Sequence, residues 1–262
     1  MAQIEYGILF PAFLAGMLVL ATHVPLGQQV LARGIVFIDL AIAQVAGLGV
    51  TAADAFGFEP QGWRVQAAAG AAALLGALSL TWTEKKWPEV QEALIGVLFV
   101  VSASVELLVL ANNPRGGEHL KDLLVGQILY VQPSSLWPTA LLYAGLLAVW
   151  FLYRARMGHV GFYVLFAIVV TQSVQLVGIY LVFASLIVPA LAARLYPQRI
   201  RLAVGYAVGV AGYILGLVSS SLFDLPTGAV IVVTLVLAFA VATALARGEA
   251  IAAQIVAKTA DL

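Results

Sequence analysis

The side chains of this chain that could do chemistry sit inside long apolar runs. Asp39 lies in the run Gly34–Ala53, with Gln44 five residues on, about a turn and a half of helix away. Glu106 falls late in the run Ala93–Ala111, and His23 near the end of Ile8–Gly27. An ionisable group in hydrocarbon costs about 2.5–3.5 kcal/mol on insertion scales, so each is a functional candidate. Asp39 and Gln44 can line one side of an aqueous path. Alternatively Asp39, close to Arg33, merely caps a helix or pairs with that arginine. Glu106 either faces a pore or snorkels to the surface. His23 offers a neutral imidazole to a metal, or is a satisfied interfacial histidine. The polar run Thr171, Gln172, Ser173 and Gln175 cuts an otherwise apolar stretch, where it bridges neighbouring helices or solvates a path.

Catalytic signatures are missing. The sequence has no G-x-x-x-x-G-K-[ST] loop to cradle a nucleotide phosphate, no H-E-x-x-H pair and no G-x-S-x-G elbow. His23, His119 and His159 lie far apart, and there is no cysteine, hence no thiolate metal site or cysteine nucleophile. The chain reads as neither an enzyme nor the holder of a resident cofactor.

The elements that must position these residues follow from composition. Of 262 residues, 63% are hydrophobic and 10% charged, with mean hydropathy +1.02; a soluble domain carries about 25% charged residues. So little polar surface cannot cover a globular domain, which excludes a cytosolic enzyme, a nucleic-acid binder and a disordered chain. A membrane span takes about 20 apolar residues. The candidates are Ile8–Gly27, Gly34–Ala53, Val65–Trp82, Ala93–Ala111, Leu136–Tyr153, Phe162–Val177, Gly178–Ala193, Leu202–Ser220 and Thr227–Ala246. None alternates with period two, so helices and not a barrel are expected. The punctuation between spans is Pro25-Leu26-Gly27, Glu59-Pro60, Trp87-Pro88, Asn112-Asn113-Pro114, Gln132-Pro133, Pro197 and Pro226. Met1–Tyr6 holds no basic residue and no cleavage site follows, so the first span is expected to be retained. The fold class is an all-α integral membrane protein: one domain, 1–262, forming a polytopic helical bundle.

The stretch Gly161–Leu195 is long for one pass and short for two. Lys and Arg accumulate in cytoplasmic loops, and this arbitrates. Two passes with the N-terminus outside put Arg33, Lys85, Lys86, Arg154, Arg156, Arg194, Arg199, Arg201, Arg247 and Lys258 inside, leaving Arg64, Arg115 and Lys121 outside. About nine spans, N-out and C-in, with a break at Gly178, is therefore the reading, and eight spans the alternative. The loop carrying Arg194, Tyr196, Arg199 and Arg201 is then short, basic and cytoplasmic; it sets topology or docks a partner. Gly205, Gly209, Gly212 and Gly216 make two small-xxx-small pairs that mark close helix packing. Asp224-Leu225-Pro226 reads as a turn and helix start.

Four stretches together resemble the permease family of ATP-binding-cassette importers for divalent metals (zinc, manganese, iron). Arg33–Val50, with Asp39, Gln44 and Gly49-Val50, resembles its second-span signature of an Asp, then Ala-His, then Gly-Val. Val177–Ala193 follows its V-G-x-x-L-V…L-I-x-P-A…A pattern closely, and Ser219–Ala229 its S…D-x-P-x-G segment. Asp122–Leu129 is similar to its L-x-G-x-I-L stretch. Two departures mark a divergent branch. Gln44 stands where the family usually has histidine, with Asp39 one residue early, and Gln is a poorer ligand than imidazole for zinc-like ions. The acidic D-x-x-A-x-x-x-G segment before the sixth span is replaced by the basic turn Arg154–Phe162.

The resemblance implies a permease subunit in the inner membrane that moves a divalent metal by alternating access. A homodimer of permeases would line the path, a separate cytoplasmic ATP-binding subunit would use the ATP, and an extracytoplasmic solute-binding protein would deliver the metal. Asp39 and Gln44 would line the metal path, to which the cost of their burial adds Glu106 and His23 as candidates, and the loop Arg194–Arg201 would contact the ATPase. A competing reading, a stand-alone ion-coupled secondary transporter, needs Asp39 and Glu106 as its coupling carboxylates.

Overall fold

Inside hydrocarbon every backbone amide must find its partner within the protein, and this chain meets that demand with helices. The computed structural model describes residues 6–58, 62–111, 113, 116–154 and 156–260, and among them there is no strand. The α-helices are α1 (Tyr6–Arg33), α2 (Ile38–Ala55), α3 (Trp63–Lys86), α4 (Gln91–Leu110), α5 (Gly116–Val125), α6 (Pro133–Tyr153), α7 (His159–Val177), α8 (Ile179–Arg194), α9 (Arg201–Phe223) and α10 (Thr227–Ala260). Met1–Glu5, Glu59, Pro60, Asn112, Pro114 and Arg115 lie outside the described residues, as do the side chains of His119 and Lys258.

Eight helices, all but α5 and α8, are long and apolar enough to cross a membrane alone. The 16-residue α8 spans about 24 Å. It runs back from the end of α7 to the end of the bundle that carries Arg33, where Ala190 and Arg194 line a cleft with Gln28. The break is at Gly178, whose φ of 83° lies where a Cβ is strained. The short helix α5 falls in none of the expected spans. It packs against α8 on the side away from Arg33.

The expected break at Pro25-Leu26-Gly27 does not occur: α1 continues through Pro25 to Arg33 and ends before Gly34, at φ 71°. Proline has no N–H to give the carbonyl four residues earlier. Here that carbonyl, Ala21 O, accepts a bond from the Tyr206 hydroxyl of α9 at 3.1 Å, so the helix survives.

Helix directions gather most of the described basic residues at one end of the bundle. There the Arg33 guanidinium lies 4.1 Å from the Phe162 ring, His159 meets Glu84 at 2.7 Å, and the Tyr196 hydroxyl donates to Ala242 O at 2.7 Å. At the opposite end three glycines meet. The backbones of Gly126 and Gly178 approach so closely that a Cβ on either would strike the other, and one on Gly228 would strike the Val125 carbonyl. These glycines come from three of the four stretches that carry the family resemblance.

Candidate functional site

Gln44, Gly47 and Thr51 follow one another along a single face of α2, at spacings of three and four residues. The Glu106 side chain reaches that face from α4. Its Oε2 accepts a hydrogen bond from Gln44 Nε2 and its Oε1 one from the Thr51 hydroxyl at 2.7 Å. Glu106 is 0% exposed, so these donors replace part of the hydration that a carboxylate loses on burial. It neither faces open space nor snorkels.

Beside this cluster lies a cavity of about 560 Å³ between α2, α4, α5, α8 and α10. Phe99 and Leu107 of α4, Leu120 and Leu124 of α5, and Phe183 of α8 form much of its apolar wall. Gln44 lines the cavity and is also bonded to Glu106. It is therefore the point where the buried carboxylate reaches the open space.

Asp39 is placed elsewhere. It sits in the first turn of α2, where a helix dipole favours a carboxylate. It is 0% exposed, and neither oxygen has a hydrogen-bond partner. No ion pair joins it to Arg33 among the described residues: that guanidinium stacks on Phe162. Five residues of helix turn Asp39 about 140° away from Gln44, and Asp39 does not line the cavity. His23 is also buried. Its Nδ1 lies 3.0 Å from both the Val19 carbonyl and the Thr22 hydroxyl, and its Nε2 has no partner. The structure thus brings Gln44 and Glu106 together and leaves Asp39 and His23 apart from them. Among the described residues no three His, Asp or Glu side chains converge as a metal cage.

Thr51 is the member of the cluster that sequence reasoning missed. Its signal was its place seven residues beyond Gln44, on the same helix face.

Several of the other polar and small positions join neighbouring helices. Ser173 meets the Tyr143 hydroxyl of α6, and Gln172 Nε2 donates to Thr139 Oγ1 at 3.3 Å. Thr171 Oγ1 is buried without a partner, and Gln175 is exposed. A Cβ on Gly205 or Gly209 would run into Val24 or Leu20 of α1; one on Gly212 or Gly216 would meet Leu235 or Ile231 of α10. Asp224 takes the left-handed conformation at the end of α9 (φ 51°). The loop after α8 is braced at Tyr196, whose hydroxyl reaches α10 and whose carbonyl accepts Arg201 Nε at 3.0 Å. Arg194 and Arg199 are exposed on it.

Comparison with known proteins covers nearly the whole chain. The sequence pattern of the ABC 3 transport family matches residues 5–162 and 154–246. An uncharacterized membrane protein of Synechocystis is 26% identical over 93% of this chain and 92% of its own length. The manganese transport system membrane protein MntC of Listeria innocua is 27% identical over 91% and 90% respectively. In three dimensions, a chain of PsaBC from Streptococcus pneumoniae, solved in complex with Fab, superposes with a TM-score of 0.72 over 91% of both chains. At 22% identity that likeness speaks for the fold. Apolar helices in this number make the chain a multi-pass membrane protein, and the pattern that runs through them answers the resemblance read from its motifs: the chain belongs to the ABC 3 transport family.

Proposed function

We propose that this chain is the transmembrane permease subunit of an ABC importer for a divalent metal ion, with manganese the first candidate and zinc or iron the others. The observation that carries the reading is the buried Glu106 carboxylate, which accepts hydrogen bonds from Thr51 and from Gln44, the residue that lines the cavity. A hard divalent cation prefers carboxylate and carbonyl oxygens, which this cluster supplies. Relatives named as manganese transport system membrane proteins agree with that choice.

In this reading the ion is a transient passenger. Two oxygen-bearing side chains bind too weakly to trap it, as release on the far side requires. Asp39 and His23, with buried atoms that lack partners here, are further ligands that a second conformation of an alternating-access cycle would present. The basic end of the bundle lies in the cytoplasm, which makes the topology N-out and C-in. There the braced loop with Arg194, Tyr196, Arg199 and Arg201 docks a separate ATP-binding subunit, so the chain itself is not an enzyme and binds no cofactor. A second permease copy completes the path in the inner membrane, and an extracytoplasmic binding protein delivers the metal.

The test is uptake of a panel of radiolabelled manganese, zinc and iron by membrane vesicles holding the assembled transporter. Manganese entry is expected for the wild type, with a loss of about 10–100-fold for Glu106→Gln at equal assembly, the usual range for disturbing groups that support a metal site. Unchanged entry of every metal in the variant would remove Glu106 from the path.

A further inference from the structure

Cation transport does not account for one region of the basic end. Three adjoining clefts open between the C-terminal turns of α1 and α6 and the start of α9, with volumes of about 260, 310 and 230 Å³. They share their walls: Trp150, Arg154 and Gln198 line two of them, and Gln28 and Arg201 likewise line two. Arg33 lines the 310 Å³ cleft. Among the described residues no acidic one lines any of the three, although Glu84, Glu89 and Glu92 sit at the same end on α3, α4 and the turn between them. A divalent metal would be repelled here. The complementary ligand is an anion.

The donors are set out for one. The Arg33 guanidinium lies over the Phe162 ring, yet its Nη1 is buried without a partner, and so is Nε2 of Gln28. A buried donor with nothing to donate to is an unfavourable state that an acceptor relieves. Arg201 gives its Nε to the Tyr196 carbonyl. That bond fixes the plane of the guanidinium and leaves its other N–H groups for a second acceptor. Several guanidinium forks with side-chain amides between them match the oxygens of a phosphate group.

The rim indicates where that phosphate comes from. Phe151 and Leu202, which line the 230 Å³ cleft, are 48% and 38% exposed. Both extend the cleft outward as apolar surface. A free phosphate has no use for such a rim; an acyl chain does. Basic recesses between membrane helices on the cytoplasmic side are where anionic headgroups bind. We propose that these clefts bind the phosphodiester headgroup of an anionic phospholipid. Its acyl chains lie along Phe151 and Leu202, and its phosphate draws on Arg33, Arg154 and Arg201. Because Arg201 also holds the Tyr196 carbonyl, the bound lipid stiffens the loop that follows α8.

The experiment measures retention of phosphatidylglycerol and of phosphatidylcholine by the full chain in detergent, counted by native mass spectrometry. The wild type is expected to keep phosphatidylglycerol in preference to phosphatidylcholine, and the Arg33→Gln, Arg154→Gln double variant to lose about tenfold or more of that retention, given the attraction each arginine supplies. The Lys85→Gln, Lys86→Gln variant removes equal charge from the same end but outside the clefts, and is expected to bind like the wild type. Equal retention of the two lipids, equal losses in both double variants, or full displacement by inorganic phosphate would overturn the proposal. So would displacement of the lipid by the purified ATP-binding subunit, which would assign the clefts to that protein. Should the Arg33 change impair folding, Arg154→Gln alone, at an exposed residue, gives the same reading. Metal uptake is not measured here, and neither tested arginine belongs to the metal path or the docking loop, so failure of this proposal leaves the transport reading intact.

Discussion

Burying a carboxylate in a membrane protein is costly unless donors replace its water, and Glu106 has Gln44 and Thr51 for that purpose. Removing a donor and removing the carboxylate should therefore differ. Gln44→Ala leaves one Glu106 oxygen short of a donor and opens the cavity wall, so it is expected both to slow manganese uptake, by about 10–100-fold, and to lower thermal stability in detergent. Asp39→Ala breaks no hydrogen bond. It should fold and melt like the wild type while slowing uptake. Normal uptake by the Asp39→Ala, Gln44→Ala double variant would strike both from the path. The four candidates Asp39, Gln44, Glu106 and His23 were legible as costly polar groups in apolar runs. Which of them meet was not, because Gln44 and Glu106 are 62 residues apart and only the packing of α2 on α4 joins them.

At the scale of the helix, legibility tracked how local the cause was. The break between α7 and α8 could be placed because Gly178 itself adopts the conformation that only glycine tolerates easily. The passage of α1 through Pro25 could not, since the hydroxyl that rescues it comes from Tyr206, 185 residues further along the chain. The helix α5 escaped as well. Its ten residues are too few for a span, and the close backbone contact that follows it at Gly126 joins it to a residue far along the chain, Gly178. Two predictions belong here. Gly178→Ala meets both an unfavourable φ and the Gly126 backbone, and should cost about 1–3 kcal/mol for the backbone strain alone, read as a lower unfolding midpoint in detergent. Tyr206→Phe strands the Ala21 carbonyl and should cost about 0.6–1.7 kcal/mol, the range for interhelical hydrogen bonds in membranes. A stability equal to wild type would show that another group satisfies that carbonyl.

Across the whole molecule, the informative quantity is where its few charges lie. The sequence arithmetic that divides basic residues ten to three has a structural counterpart: Arg33, Arg154, Arg194 and Arg201 line one set of clefts at one end of the bundle, while Arg64 and Lys121 fall at the other. At the basic end the loop after α8 is tied to α10 and to Arg201. Reversing charge at Arg194, Arg199 and Arg201 together is expected to abolish co-purification of the ATP-binding subunit or its stimulated hydrolysis, with the helical content unchanged. The sequence holds no G-x-x-x-x-G-K-[ST] loop, so the proposed function requires an ATP-binding subunit. The most direct measurement is manganese uptake into proteoliposomes containing this chain, with and without the ATP-binding subunit and ATP. Uptake that requires both, and is indifferent to a collapsed proton gradient, is the predicted result; uptake by this chain alone that stops when the gradient is dissipated would contradict it.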